Sequence, residues 1–177
     1  MRIATMATGG IGGYLAVKLT NGGCEVATIA RGSHLEAIRR KGLQLSTKGQ
    51  TETVIPWKVS SDTRQIGPVD VIIFGVKCHA LEKAAKECLP MLKETTLVIP
   101  FLNGVEAAKR LLEILPKKNV ANGVAKISTT ISKPGVISQV GSFAQFIFSE
   151  LNSVSSPRIK RVQEVFRNAG IDAPKTN

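Results

Sequence analysis

Cysteine, histidine and long apolar runs are all scarce in this sequence of 177 residues. Its 3 cysteines are an odd number without a C-x-x-C pair, so neither a disulfide framework nor a closed zinc site is predicted. The 2 histidines form no H-E-x-x-H pair and there is no G-x-S-x-G turn, which leaves metalloprotease and serine-hydrolase chemistry without a signature. Because the apolar runs are strand-sized rather than the roughly 20 residues that cross a bilayer, we expect a soluble protein of the reducing cytoplasm.

Acidic residues are also few, since 13 Asp and Glu stand against 24 Lys and Arg and leave a net charge of +11. A chain this basic could bind nucleic acid. However, the excess is spread along the whole sequence rather than gathered in a tail or a run, which favours a solvated basic surface. We therefore predict neither a nucleic-acid nor a membrane partner, and note that a small anionic ligand needs only a few of these charges.

The chain has enough apolar residues, 43% of the total, for one domain with a full core. Periodicity predicts helices at 11–19, 33–41, 79–93 and 104–115, and strands at 2–6, 25–30, 69–76, 95–102 and 119–128. Residues 43–60 alternate loosely, as strands do. Strands that alternate with helices predict an α/β fold with a doubly wound, mainly parallel sheet.

The last third of the sequence has a different pattern. Residues 135–140 and 143–148 are predicted strands on either side of Gly141, which indicates an antiparallel hairpin at the sheet edge. A basic amphipathic helix over 156–168 follows, with Gly170 just past its end. We predict one domain over residues 1–170 and the start of a linker over 171–177.

A glycine-rich turn, Ala7-Thr8-Gly9-Gly10-Ile11-Gly12, lies between the first strand and the first helix, where dinucleotide-binding domains carry their fingerprint. Gly9 would let the backbone approach a pyrophosphate, and Gly12 would let helix and strand pack closely. The N-terminus of the helix would offer N–H groups to the anion. Ala7 replaces the first glycine of the fingerprint, so its methyl group could crowd a cofactor. A purely structural turn is the alternative.

Three polar residues follow predicted strands at their carboxyl ends, where ligands bind in such sheets. Arg31 holds the place at which NAD-binding domains usually have Asp or Glu, and its guanidinium suits a 2′-phosphate, so NADP is predicted. Lys77 would complete a phosphate-binding pair with it. Asn103 could hold a ribose hydroxyl and a substrate group, or it could cap the next helix. For Arg31 the alternative is a surface arginine without a function.

Taken in order, these motifs resemble the N-terminal half of the ketopantoate reductase (2-dehydropantoate 2-reductase) family. The resemblance implies a Rossmann-like NADP-binding domain and hydride transfer from NADPH to the ketone of a small 2-keto acid, 2-dehydropantoate, on the route to pantothenate. It assigns the phosphate turn to Gly9 and Gly12, the adenosine and 2′-phosphate contacts to Arg31 and Lys77, and a cofactor and substrate contact to Asn103. The matching segments are Met6-Ala7-Thr8-Gly9-Gly10-Ile11-Gly12-Gly13, Ile29-Ala30-Arg31-Gly32, Val76-Lys77, Leu102-Asn103-Gly104-Val105 and Pro134-Gly135-Val136-Ile137.

The resemblance also implies a C-terminal helical domain, which this chain lacks, and a general-acid lysine beyond Asn177. We therefore predict no catalytic residue and no metal site within the chain, and interpret it as the cofactor-binding part of the enzyme. A stand-alone, non-catalytic NADP-binding module or a truncated remnant is the alternative. Because the helix over 156–168 would face the helical domain, we expect that the chain could form a homo-oligomer through this patch.

Overall fold

The structure, a computed structural model, describes residues 1–102 and 106–175. The strands are β1 (Arg2–Met6), β2 (Glu25–Ile29), β3 (Leu43–Thr47), β4 (Gln50–Val54), β5 (Lys58–Ser60), β6 (Val71–Phe74), β7 (Leu97–Pro100), β8 (Ala121–Lys133) and β9 (Val136–Glu150). The α-helices are α1 (Gly10–Asn21), α2 (Gly32–Lys41), α3 (Leu81–Cys88), α4 (Ala107–Leu111) and α5 (Pro157–Asn168). Short 3₁₀ turns occupy Thr63–Gln65, Cys78–Ala80, Leu89–Met91 and Lys117–Asn119.

Five strands form a wholly parallel sheet in the order β5-β2-β1-β6-β7. The chain first builds outward from β1 through β2 to β5, and then returns to the other side of β1 for β6 and β7. Ligands of doubly wound sheets bind at such a switch point, outside the carboxyl ends of the strands. The predicted α/β fold with a parallel, doubly wound sheet is confirmed, and its switch point lies between β1 and β6.

Both faces of the parallel sheet are covered, which explains why its strands are continuous apolar runs. Ile3 on β1 points into a core shared with α1, α2, α5 and the second sheet. Its neighbour Ala4 points to the opposite face, into a core shared with α3 and α4. All four residues of β6 are buried for the same reason.

The antiparallel strands form a separate mixed sheet, in the order β4-β3-β9-β8, rather than an edge of the parallel one. The segment 119–128, predicted as a further parallel strand, is the start of β8, and Val120 keeps a single parallel bridge to Val98. The two predicted strands around Gly141 are one strand, β9. Gly141 has a φ of +71° and begins a three-residue bulge between Val140 and Ala144, whereas the turn of the hairpin lies at 134–135.

The predicted helix over 79–93 is shorter than expected. It consists of α3 between two 3₁₀ turns, because Pro90 lacks the N–H that an α-helix needs in its interior. The second helix begins at Gly32, one residue before the predicted start at 33, with Arg31 in the N-cap position.

Helix α5 is anchored on the second sheet by aromatic packing. The Phe166 ring lies 5.1 Å from the Phe148 ring and 6.4 Å from those of Phe101 and Phe146, and it has no solvent exposure. Beyond α5 the backbone N–H of Phe146 donates to the carbonyl of Asp172, and packing continues through the buried Ala173. The boundary predicted between a domain over 1–170 and a linker over 171–177 stays a prediction.

Within residues 1–102 and 106–175, no helix combines the length and apolar character that a membrane span requires. The same residues bring no three His, Cys, Asp or Glu side chains together in a way that could hold a metal ion.

The aromatic cluster gives a stability prediction. Replacing Phe166 with alanine should lower the free energy of unfolding by about 3–5 kcal/mol, because it removes a fully buried ring and leaves a cavity. Urea unfolding measures this loss. The matched variant Phe143→Ala removes a ring that is 62% exposed on β9 and should change stability by less than about 0.5 kcal/mol. Equal losses in the two variants would contradict the packing described.

Candidate functional site

Two clefts flank the glycine turn at the carboxyl ends of β1, β2 and β6. The Arg31 cleft has a volume of about 300 Å³. It is lined by the end of β1 and the start of the turn, over residues 6–9, and by Arg31, His34, Lys83 and Glu87, among others. The Lys77 cleft has a volume of about 540 Å³ and is lined by Gly10, Lys77, Leu102 and Thr129, among others. Gly9 and Val76 border both clefts, so an elongated ligand that crosses the turn could occupy the two together.

The turn is held from beneath by the strands. The Thr8 N–H donates to the carbonyl of Ile29 at 2.8 Å, and the Thr8 hydroxyl shares a 2.9 Å hydrogen bond with the hydroxyl of Thr5. On the other side, α1 begins with Gly9 in the N-cap position, with no side chain of the described residues capping it and no acidic residue in its first turn. The first N–H groups of a helix lack partners within it, so this end of α1 is suited to an anion.

Gly12 and Gly9 are needed for different reasons. A Cβ atom on Gly12 would lie 2.1 Å from the Ala7 carbonyl oxygen, so a side chain there would push α1 off the turn. This close packing agrees with the prediction for Gly12, with the turn itself as the contact. A Cβ on Gly9 would have the Gly75 carbonyl oxygen as its nearest neighbour in the described chain, at 3.8 Å. Protein packing therefore leaves room for a side chain at Gly9, and the predicted approach of a pyrophosphate gives a reason for glycine there.

The predicted polar residues are divided between the two clefts. Arg31 lies in the first cleft, where its Nη2 donates to both carboxylate oxygens of Glu87, at 2.9 and 2.7 Å. Lys77 is exposed and lines the second cleft, so the cation that shares a cleft with Arg31 is Lys83 instead. Asn103 lies outside the described residues, and its contact with cofactor and substrate stays a prediction.

His34 is a site residue that the sequence did not reveal. The Gly135 N–H donates to its Nδ1 at 3.0 Å, so Nδ1 carries no proton and the Nε2–H donates to the Thr8 carbonyl at 2.9 Å. Burial lowers the pKa of His34 below its ordinary value of 6.5, although the hydrogen bond to Thr8 opposes this in part. The neutral ring thus ties the glycine turn to the β8–β9 turn. A lone histidine in a helix gives no sequence signal for bonds to backbone atoms 26 and 101 residues away.

Thr129 is a second residue that the sequence did not reveal. It lies on β8 against the start of α1, where a Cβ on Gly10 would come within 2.6 Å of the Thr129 carbonyl oxygen. The Thr129 hydroxyl is buried beside the Lys77 cleft and has no hydrogen-bond partner among the described residues. Such a group normally finds a partner, so it is available to a ligand in this cleft.

Comparison with known proteins agrees with this arrangement. The family model described as "Ketopantoate reductase PanE/ApbA" matches residues 3–153. The chain belongs to the ketopantoate reductase family. This confirms the family that the motifs indicated, and ketopantoate reductase-like proteins are oxidoreductases.

Individual relatives support the assignment. The 2-dehydropantoate 2-reductase of Mesorhizobium japonicum is 29% identical, over 98% of this chain and 59% of that protein. The "Uncharacterized oxidoreductase YkpB" of Bacillus subtilis is 26% identical, over 94% of this chain and 54% of that protein. The crystal structure of 2-dehydropantoate 2-reductase from Porphyromonas gingivalis W83 has a TM-score of 0.93 and 33% identity, over 98% of this chain and 63% of that chain. The chain thus spans less than two thirds of each relative.

The neutral state of His34 gives a pH prediction. Its pKa is lower in the folded than in the unfolded chain, so the unfolded state binds more protons as the pH falls below about 6.5, and stability should decrease there. Urea unfolding at pH 7.5, 6.5 and 5.5 measures this slope. It should be smaller in His34→Gln, whose amide can still donate to Thr8 but does not titrate. An unchanged slope in His34→Gln would contradict the assignment.

Proposed function

We propose that this chain is the cofactor-binding part of an NADPH-dependent 2-dehydropantoate 2-reductase, which reduces the ketone of this 2-keto acid to the alcohol of pantoate. The observation that carries the proposal is the uncapped N-terminus of α1 opening onto the clefts beside Gly9, where protein packing leaves space and Arg31 lies nearby. Family membership and the names of the relatives support the choice of substrate.

The residues of the turn fit a dinucleotide pyrophosphate. Its negative charge would interact favourably with the partial positive charge of the α1 N-terminus and with its N–H groups. The hydrogen bonds of Thr8 to Ile29, Thr5 and His34 fix the turn before a ligand arrives. A preformed turn lowers the entropy cost of binding.

The Arg31 cleft fits the adenosine half of NADPH. Apolar side chains such as Ile29, Ala30 and Ala84 line its interior and suit an adenine ring, while Arg31 and Lys83 supply positive charge. A guanidinium can hold a phosphate with two parallel hydrogen bonds. We assign the 2′-phosphate to Arg31 and the electrostatic support of that phosphate to Lys83.

The Lys77 cleft fits the nicotinamide half. In it the buried Thr129 hydroxyl can hydrogen-bond to the cofactor, and Lys77 is close enough to the cleft to attract the pyrophosphate or the substrate carboxylate. When bound there, NADPH would supply the hydride for the ketone carbon. The residues of this chain bind and orient the cofactor, and the resemblance places the lysine that protonates the alkoxide beyond Asn177.

A non-catalytic NADP-binding module is the second candidate, because the described residues offer a glycine turn suited to an anion but no assigned general acid. The two candidates differ in turnover. Loss of a general acid lowers a rate by about 10²-fold or more but does not abolish the reaction. Measurable 2-dehydropantoate reduction by the 177-residue chain alone would therefore exclude the non-catalytic module.

Cofactor choice tests the role of Arg31. In titrations followed by cofactor fluorescence, the chain should bind NADPH more tightly than NADH. Arg31→Ala should weaken NADPH binding by about 10–100-fold, the range of one or two charge-assisted hydrogen bonds, and leave NADH nearly unchanged. Arg40→Ala removes an exposed arginine of α2 that lies outside the Arg31 cleft, and should have no effect. Ala7→Gly, which restores the glycine of the fingerprint, should preserve binding. An unaltered NADPH affinity in Arg31→Ala would contradict the assignment.

Two glycine variants separate a binding turn from a structural one. Gly9 has a φ of −83°, which other residues adopt, and the space around its Cβ position is open. Gly9→Ala should therefore keep the wild-type melting temperature but weaken NADPH and NADH alike. Gly12→Ala should lower the melting temperature, because the new methyl group meets the Ala7 carbonyl. If Gly9→Ala binds both cofactors as the wild type does, the turn is structural and the proposal fails.

A further inference from the structure

Arg31 is already engaged by a carboxylate from the opposite wall of the cleft. Its Nη2 atom lies 2.7 Å from Oε2 and 2.9 Å from Oε1 of Glu87. Arg31 stands between β2 and α2, whereas Glu87 stands near the C-terminal end of α3. The pair therefore spans the Arg31 cleft at the place assigned above to the 2′-phosphate.

We propose that Glu87 is a specificity-determining residue for the cofactor: its carboxylate competes with the 2′-phosphate of NADPH for Arg31 and can accept a hydrogen bond from the 2′-hydroxyl of NADH. This inference rests on the proposed function. It makes the preference for NADPH the result of a balance between Arg31, Lys83 and Glu87 rather than of Arg31 alone.

The backbone of Glu87 is well fixed, which makes its position in the cleft dependable. The hydroxyl of the buried Thr63 donates to the Glu87 carbonyl. The next residue, Cys88, ends α3 and is buried in the core. The Glu87 side chain is 34% exposed, so its carboxylate can move between a contact with Arg31 and a contact with a ligand.

Separating the Arg31–Glu87 ion pair costs little free energy, because exposed pairs of this kind contribute little to stability. The Arg31 side chain is 59% exposed. A phosphate can therefore displace Glu87 from the guanidinium, but the carboxylate stays on the cleft wall. At about 5 Å and in a water-like dielectric, its repulsion of a phosphate with nearly two negative charges corresponds to about a tenfold loss of affinity.

The same carboxylate is favourable for NADH. Domains that select NAD place an Asp or Glu where it accepts the ribose 2′-hydroxyl, and the end of β2 offers Arg31 instead. Glu87 instead brings a carboxylate into the Arg31 cleft from α3, in contact with the Arg31 guanidinium. Lys83, one helical turn earlier in α3, lines the same cleft and partly offsets the charge of Glu87 for either ligand.

The test is Glu87→Gln, titrated with NADPH and NADH and also with two fragments that lack the nicotinamide: 2′,5′-ADP, which carries the distinguishing 2′-phosphate, and 5′-AMP, which does not. The variant should bind NADPH and 2′,5′-ADP about tenfold more tightly than the wild type. Its affinity for NADH and 5′-AMP should stay the same or fall a few-fold. Its melting temperature should be nearly unchanged, because an exposed ion pair is lost.

Glu82→Gln is the matched control. It removes the same charge from the same helix, but Glu82 pairs with Arg110, with its Oε1 2.7 Å from Arg110 Nε, away from the cleft. This variant should bind all four ligands as the wild type does. An equal gain in NADPH affinity in both variants would show that the effect comes from net charge alone, and would overturn the role of Glu87.

The outcomes separate this inference from the proposed function. If the wild type binds NADPH and Glu87→Gln leaves the NADPH-to-NADH preference unchanged, the proposed function stands and the role of Glu87 is overturned. If neither the wild type nor the variant binds any of the four ligands, the proposed function fails, and the role of Glu87 fails with it.

Discussion

The close approach of α1 to the turn before it is the constraint on which the clefts depend. Because Gly12 has no side chain, the helix starts directly against the Ala7 carbonyl. Gly75, just after β6, is equally close: a Cβ atom there would lie 3.0 Å from the Gly12 amide nitrogen. The end of β6 and the start of α1 are therefore pressed together at the switch point of the sheet. This arrangement aims the uncapped end of α1 at the space between the two clefts, and the bonds from Ile29 and His34 hold the turn in place.

Much of this core could be predicted from the sequence because its signals are local. The apolar runs that became β1, β2 and β6 are bounded by turn residues, and the spacing of Ile11, Leu15 and Leu19 is that of a helix. The glycine turn follows a strand and opens a helix, which is the context that makes the motif informative. The carboxyl-end position of Arg31 follows from the same pattern.

What could not be predicted depends on contacts distant in sequence. Gly141 has turn propensity, but the pairing of Val140 with Ser128 and of Ala144 with Ile127 turns that propensity into a bulge within β9. Glu87 meets Arg31 across 56 positions of the chain, and no periodicity links the two. Such residues become visible only when the fold brings two walls of a cleft together.

The net charge of the whole chain differs from the local charge of the Arg31 cleft. Although the formal net charge is +11, the Arg31 cleft combines two cations with one carboxylate. Selection between two cofactors that differ by one phosphate depends on this local balance, since exposed charges farther away are largely screened by salt. The many other basic side chains of the surface are not required for it.

The most direct measurement of the central claim is an NMR titration of the isotope-labelled chain with NADPH. We predict that the largest backbone amide shifts fall on residues 9–12 at the start of α1 and on Arg31, because these groups would contact the pyrophosphate and the 2′-phosphate. Shifts confined to other surfaces, such as the basic groove lined by Arg39, Arg40 and Lys133, would contradict the account and show that the turn does not bind the cofactor.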